Sequence, residues 1–154
     1  MTQTETRSQA PTNAQPEIYR LRTPLMKQGR SDITLSKTEN MTVRIKCYAA
    51  GGENEFHAHA AEDHTFVVLA GQARFSNPEG EIATLGRNEG IMLPRGAFYK
   101  FESCADEPLV LMRVGAKVGT AEVPRVTTDG RPIPGDSLEN KTVPPIVMEG
   151  AFYE

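Results

Sequence analysis

All three histidines of the chain fall within eight consecutive residues, His57-Ala58-His59-Ala60-Ala61-Glu62-Asp63-His64. Three residues scattered at random over 154 positions would rarely lie so close, which argues against three unrelated surface or core histidines. On a strand, residues two apart project from one face, so His57 and His59 can present their imidazoles to one point. The four-residue connection after His59 lets the chain turn and offer His64 from a neighbouring strand. Neutral imidazole suits zinc, copper, iron and nickel. The pattern predicts one divalent metal ion held by His57, His59 and His64. Glu62 and Asp63 share the stretch. Either carboxylate replaces or supplements His64, or both are solvated loop acids that orient an imidazole N–H.

Short strands of period two surround this cluster. Met41 to Tyr48 alternates cleanly, with Val43, Ile45 and Cys47 on one face and Arg44, Lys46 and Tyr48 on the other. Thr65–Leu69 is a β-branched and apolar run, and Asn77-Pro78-Glu79-Gly80 joins Gly71–Ser76 to Glu81–Leu85 as a hairpin. Glu89–Leu93, Phe98–Glu102 and Leu109–Val114 complete the set, and no amphipathic helical period runs through a dozen residues. Many short strands parted by Gly and Pro turns predict an all-β protein, an antiparallel barrel or jelly roll.

The flanks differ. Residues 1–16 are rich in Thr, Gln, Asn, Ala and Pro, and are expected to be disordered. The barrel is placed at 17–118. Residues 119–154 carry Pro124, Pro132, Pro134, Pro144 and Pro145, and are expected to form an irregular tail. Ile146, Val147, Phe152 and Tyr153 should anchor that tail to the barrel. A net charge of −3 without any Lys/Arg-rich run gives a nucleic acid or anionic membrane no electrostatic footing. Residues 1–15 lack the apolar core of a secretory signal, and the longest apolar run, Phe66–Ala70, is far too short to span a bilayer. Cys47 and Cys104 are then expected to be reduced thiols in a cytoplasmic protein.

The spacing of the cluster also resembles the first motif of the cupin superfamily: Gly, five residues, His-x-His, three or four residues, Glu, six residues, Gly. Gly51, His57, His59, His64 and Gly71 keep that spacing, with His64 where the family has Glu. The three-residue gap would select Asp63 instead; the distance to Gly71 selects His64. The second motif survives as Asn88, Pro94-Arg95-Gly96, Tyr99 and Ser103, with Tyr99 where the family's last histidine ligand stands. The likeness spans roughly Thr42 to Val114.

The resemblance implies a cupin-type jelly-roll barrel, and a ligand set of His57, His59, His64 and Tyr99. Three neutral imidazoles would leave a divalent ion at about +2, which favours an anionic or enolisable substrate oxygen. The same field favours ionising Tyr99, whose free pKa is about 10. The alternative for Tyr99 is an interior ring whose hydroxyl bonds water or backbone, at most acting as an acid or base. Arg44, Lys46, Lys100 and Arg113 lie on strands, where they either face solvent or reach an anionic substrate.

By the same resemblance the chain is expected to be a small-molecule enzyme with one metal ion, iron first, then zinc, manganese, nickel or copper. Dioxygenase-type chemistry is placed first. Non-redox isomerase, lyase or decarboxylase chemistry and a non-catalytic binding module are the alternatives. A homodimer is expected, with Ile18-Tyr19-Arg20-Leu21 as an exchanged edge strand.

Overall fold

The structure, a computed structural model, describes residues 14–49, 54–119, 123–133 and 143–154. Most of the N-terminal segment expected to be disordered lies outside them, as do Gly51, Pro134 and Gly135. Among the described residues twelve strands run in order: β1 Thr23–Gln28, β2 Arg30–Lys37, β3 Met41–Tyr48, β4 Glu62–Ala70, β5 Ala73–Asn77 and β6 Gly80–Leu85, then β7 Gly90–Leu93, β8 Lys100–Ser103, β9 Leu109–Lys117, β10 Arg125–Val126, β11 Pro132–Ile133 and β12 Ile146–Tyr153. The described residues contain no helix, and so none long and apolar enough to cross a membrane. The all-β jelly-roll expectation stands.

Two antiparallel sheets carry the barrel, one of order β2-β3-β9-β4-β7 and one of order β6-β5-β8. Between them lie Tyr48, Phe66, Val68, Phe75, Phe101 and Leu111, each no more than 5% exposed. Phe66, Phe75 and Phe101 meet at centroid distances of 5.2 to 5.7 Å, in tilted contacts that aromatic quadrupoles prefer. Behind the larger sheet, Met26, Ile45, Cys47 and Val110 form a second apolar cluster with Tyr153 packed on it.

Pleating separates these two clusters onto opposite faces of one sheet. On β3 the outward set is Val43, Ile45 and Cys47, so the polar-looking set Arg44, Lys46 and Tyr48 faces the barrel interior. Cross-strand register continues that inner face. Tyr48 pairs with Leu109, Lys46 with Leu111, Arg44 with Arg113 and Thr42 with Gly115. On β4, Phe66 pairs with Arg113 and His64 with Gly115. The family-motif glycine Gly71 follows β4 with φ +75°, and a Cβ there would lie 2.8 Å from the Pro108 carbonyl oxygen. Glycine is required by both conformation and space.

The flanks depart from expectation. Residues 119–154 hold β10, β11 and β12, with β12 pairing antiparallel to β1. Backbone pairing, which side-chain pattern does not report, overrides the irregular reading. Of the expected tail anchors, Tyr153 packs on the outer cluster, while Ile146, Val147 and Phe152 stay 45%, 51% and 41% exposed. Ile18 to Leu21 lies outside any strand, with Ile18 93% exposed. Strand β2 also escaped the sequence reading, because Arg30–Lys37 is an edge strand with little apolar alternation.

Candidate metal centre

His57 sits just outside the regular strands, pinned by an isolated bridge to Tyr99. His57 N donates to Tyr99 O at 3.1 Å and Tyr99 N donates back to His57 O at 3.0 Å. Ala58 makes the equivalent pair with Val126, both bonds being 3.0 Å. This double clamp fixes the backbone on either side of the two-residue spacing that carries His57 and His59. His57 Nδ1 lies 2.8 Å from the Glu55 carbonyl oxygen. A carbonyl only accepts, so Nδ1 carries the proton and Nε2 keeps its lone pair.

His64 lies on β4, between β9 and β7. Its ring centroid is 4.0 Å from that of His59, and the His57 ring is 5.2 Å from His59 on the other side. The Tyr99 ring is 4.6 Å from His57 and 6.3 Å from His59. All three histidines and Tyr99 thus gather at one place. Glu62 joins them: two residues before His64 on the same strand face, its Oε2 accepts a hydrogen bond from His64 Nε2 at 2.8 Å. Donor atoms of His59, Glu62 and His64 lie within 4.8 Å of one another. Asp63 turns the other way, and its Oδ1 accepts the Arg95 backbone N–H at 2.8 Å. Lys100 also points elsewhere, over the Phe56 ring at 4.7 Å.

Burial and charge set the protonation states. Burial pushes the His57 pKa down to about 4 and that of His59 lower still. Burial likewise lowers His64, against the opposing pull of its Glu62 hydrogen bond. Neutral imidazole is the ligating form, so the cluster is electronically ready for a cation at neutral pH. The bond to His64 holds the Glu62 carboxyl below its usual range. Burial pushes Tyr99 upward, so its phenol keeps its proton unless a nearby positive charge opposes that cost.

These residues fit a metal ion by their chemistry. Nitrogen and carboxylate donors bind such ions at about 2.0–2.2 Å, so their ligating atoms must converge to roughly 3–4 Å of one another. In the 4.8 Å grouping of His59, Glu62 and His64 these donors would have to draw closer to hold an ion. Moreover, His64 Nδ1 is buried with no hydrogen-bond partner, an expensive arrangement in a site built only for packing. Glu62 was legible as an alternative donor in the sequence. Its period-two offset from His64 places the two side chains on one strand face. Two participants were missed: Asp32, which pairs with Arg44 and Lys46 at 2.7 and 3.1 Å, and Gly115 opposite His64.

An antiparallel jelly roll enclosing a histidine cluster defines a cupin-type barrel. Residues 44–115 match the cupin domain family, and the chain carries a small cupin-superfamily domain. The uncharacterized protein YdbB of Bacillus subtilis (strain 168) is 26% identical over 78 residues, spanning 51% of this chain and 67% of that protein. Among solved structures, the cupin domain of Schizosaccharomyces pombe Cnp3 superimposes with a TM-score of 0.55 at 18% identity, over 60% of this chain and 68% of that one. TT1209 from Thermus thermophilus gives 0.53 at 22% identity, over 58% and 84%. KdgF from Halomonas sp. gives 0.52 at 13%, over 58% and 81%. At such identities the structures share the fold and nothing finer.

Proposed function

We propose that this domain holds one divalent metal ion, iron first, and acts as an enzyme on a small anionic or enolisable metabolite through dioxygenase-type chemistry. The observation that carries the reading is the convergence of His59, Glu62 and His64 within 4.8 Å, beside His57 and Tyr99. Two imidazoles and a carboxylate with open positions are the donor set of non-haem iron oxygenases. Bound there, the ion would supply a template for substrate oxygens and a route for electrons to dioxygen. His57 stands as a further donor through Nε2, and Tyr99 as the fourth residue implied by the family likeness. Glu62 orients His64. The aromatic layer of Phe66, Phe75 and Phe101 closes the dry side of the site.

Metal content of protein purified without added metal, read by X-ray fluorescence, tests this reading. Iron near one per chain is expected, with consumption of dioxygen when a substrate is supplied. His59→Ala and His64→Ala should each lose most of the metal, whereas Tyr99→Phe should keep it. A ferric form whose visible band vanishes in Tyr99→Phe would make Tyr99 a ligand. Full metal retention in both histidine variants would overturn the site. Zinc with no dioxygen uptake would move the chemistry to the non-redox class.

The same proposal places the chain in the cytoplasm as a homodimer. The thiols Cys47 and Cys104 are free, and β12 offers Ile146, Val147, Met148 and Phe152 half-exposed. Light scattering should give twice the chain mass at micromolar concentration; a monomer there would count against it.

A further inference from the structure

The inner face of the large sheet is cationic in a chain of net charge −3. Register aligns Arg30 with Tyr48, Asp32 with Lys46, and Arg44 with Arg113 along that face. Most of these cations are matched. Asp32 takes both Arg44, at 2.7 Å, and Lys46, at 3.1 Å. Arg30 donates to Asn54. Arg113 is different: its Nε is buried without a hydrogen-bond partner, and no described acid forms an ion pair with it. Glu62 spends its Oε2 on His64 at 2.8 Å. An Arg Nε withdrawn from water without an acceptor is costly, and such an atom on the inner face of a barrel signals an absent partner.

Gly115 shows how closely Arg113 approaches the histidines. A Cβ on Gly115 would lie 3.2 Å from His64 Cδ2, 3.3 Å from His64 Nε2 and 3.3 Å from Arg113 Nη2. The Gly115 backbone therefore sits against both the guanidinium and the histidine cluster, and a side chain there would crowd both. Gly115 has no positive φ to explain it, so this close approach is the reason for glycine here. Phe66, paired with Arg113 on the other side, supplies an apolar wall. A planar fork of N–H donors against such a wall matches a compact oxyanion bidentately.

We propose that Arg113, which lies beside the histidine cluster on the inner face of the sheet, anchors a compact oxyanion, carboxylate or phosphoryl, of the substrate and so fixes its orientation towards the histidines. The proposal takes its location beside a substrate from the function proposed above, but the anion site stands or falls without the metal.

The full chain, as purified and again after chelator treatment, would be titrated calorimetrically with malonate, with inorganic phosphate and with neutral malonamide. One anion per chain is expected in both preparations, with no malonamide bound. Tighter malonate identifies a carboxylate substrate, and tighter phosphate a phosphoryl one. Arg113→Gln should weaken the anion by about tenfold or more, the usual effect of losing a charge-assisted pair. Gly115→Ala, which crowds Arg113 Nη2 and leaves the charge intact, should weaken it comparably, with circular dichroism confirming that each variant is folded. His59→Ala should lose metal yet keep the anion, which separates failure of the metal site from failure of this one. The proposal is overturned if neither anion binds, if Arg113→Gln binds undiminished, or if His59→Ala abolishes anion binding in the chelated protein.

Discussion

The inside of this barrel has two characters. Phe66, Phe75 and Phe101 pack ring against ring, every one at most 5% exposed and none asking for a polar partner. On β4 beside Phe66, and on the adjoining β9 and β3, His64, Arg113, Arg44 and Lys46 bring charge and imidazole to the same inner face. Among the described residues, the buried side-chain atoms that lack hydrogen-bond partners, Tyr48 Oη, His64 Nδ1 and Arg113 Nε, all belong to inner-face residues of the large sheet. Packing alone would have filled these positions with aliphatic side chains. A fold leaves buried polar groups unmatched where something else must match them, so the contrast separates the part that holds the barrel from the part that uses it.

The largest expected effect lies in the aromatic region. Phe75 is fully buried, so Phe75→Ala should cost about 3–5 kcal/mol in chemical denaturation, from lost transfer energy plus a residual cavity. The variant that remains folded should still bind metal stoichiometrically. Loss of metal from folded Phe75→Ala would show that the two regions are not separable.

The polar region should show itself next through pH. Lys46 is 7% exposed, and burial pushes its pKa down to about 8 despite the attraction of Asp32. An unfolded chain keeps that proton until about 10.4. Between these values the unfolded state binds more protons, so Lys46 adds stability as pH rises from about 8 to about 10. The gain is on the order of 2 kcal/mol and should be missing from Lys46→Met. Parallel pH profiles for the two proteins would mean that Lys46 is hydrated and not part of the interior wall.

What the sequence revealed follows the same division. Alternation over Met41–Tyr48 gave the β3 boundaries as the structure has them, and Asn77-Pro78-Glu79-Gly80 gave the β5–β6 hairpin, where Asn77 Oδ1 accepts from Glu79 N and Gly80 N. Local pattern reports local pairing. It does not report which face of β3 is inside, because the outer face is also apolar, covered by Tyr153 and the β1–β12 pair. The usual inference that charged alternates face solvent therefore fails at Lys46 and Arg113. Within the histidine cluster, clustering alone identified the place. The partnership of Glu62 with His64, and the close approach of His64 and Arg113 at Gly115, depend on strand register that no local pattern encodes.

Glu62 sharpens the contrast on β4 at a smaller scale. Glu62→Gln keeps the shape but removes the charge that holds the His64 N–H. Metal affinity should fall by about 10- to 100-fold, whether Glu62 ligates or only orients its neighbour. Folding stability should move little, since Glu62 is partly exposed. Unchanged affinity, measured by competition with a chelator, would return Glu62 to the status of a solvated acid.

Asp63 provides the smallest effect and the most direct check on strand direction. Between Glu62 and His64, it must point to the opposite face of β4, and its Oδ1 there accepts the Arg95 N–H at 2.8 Å at an exposed position. That bond ties β4 to the Pro94-Arg95-Gly96 turn, which leads into the bridge between His57 and Tyr99. Asparagine retains an acceptor oxygen of the same reach, so Asp63→Asn should cost no more than about 0.5–1 kcal/mol and leave metal content untouched. Asp63→Ala removes the acceptor and should cost slightly more, again with metal retained. Suppose instead that Asp63→Asn loses the ion while Glu62→Gln keeps it. The strand would then be turned by one residue, a slip that exchanges every inward and outward side chain on β4. Such a slip would take His64 and Phe66 out of the interior, so this small substitution tests the register on which both the metal site and the placement of Arg113 beside it depend.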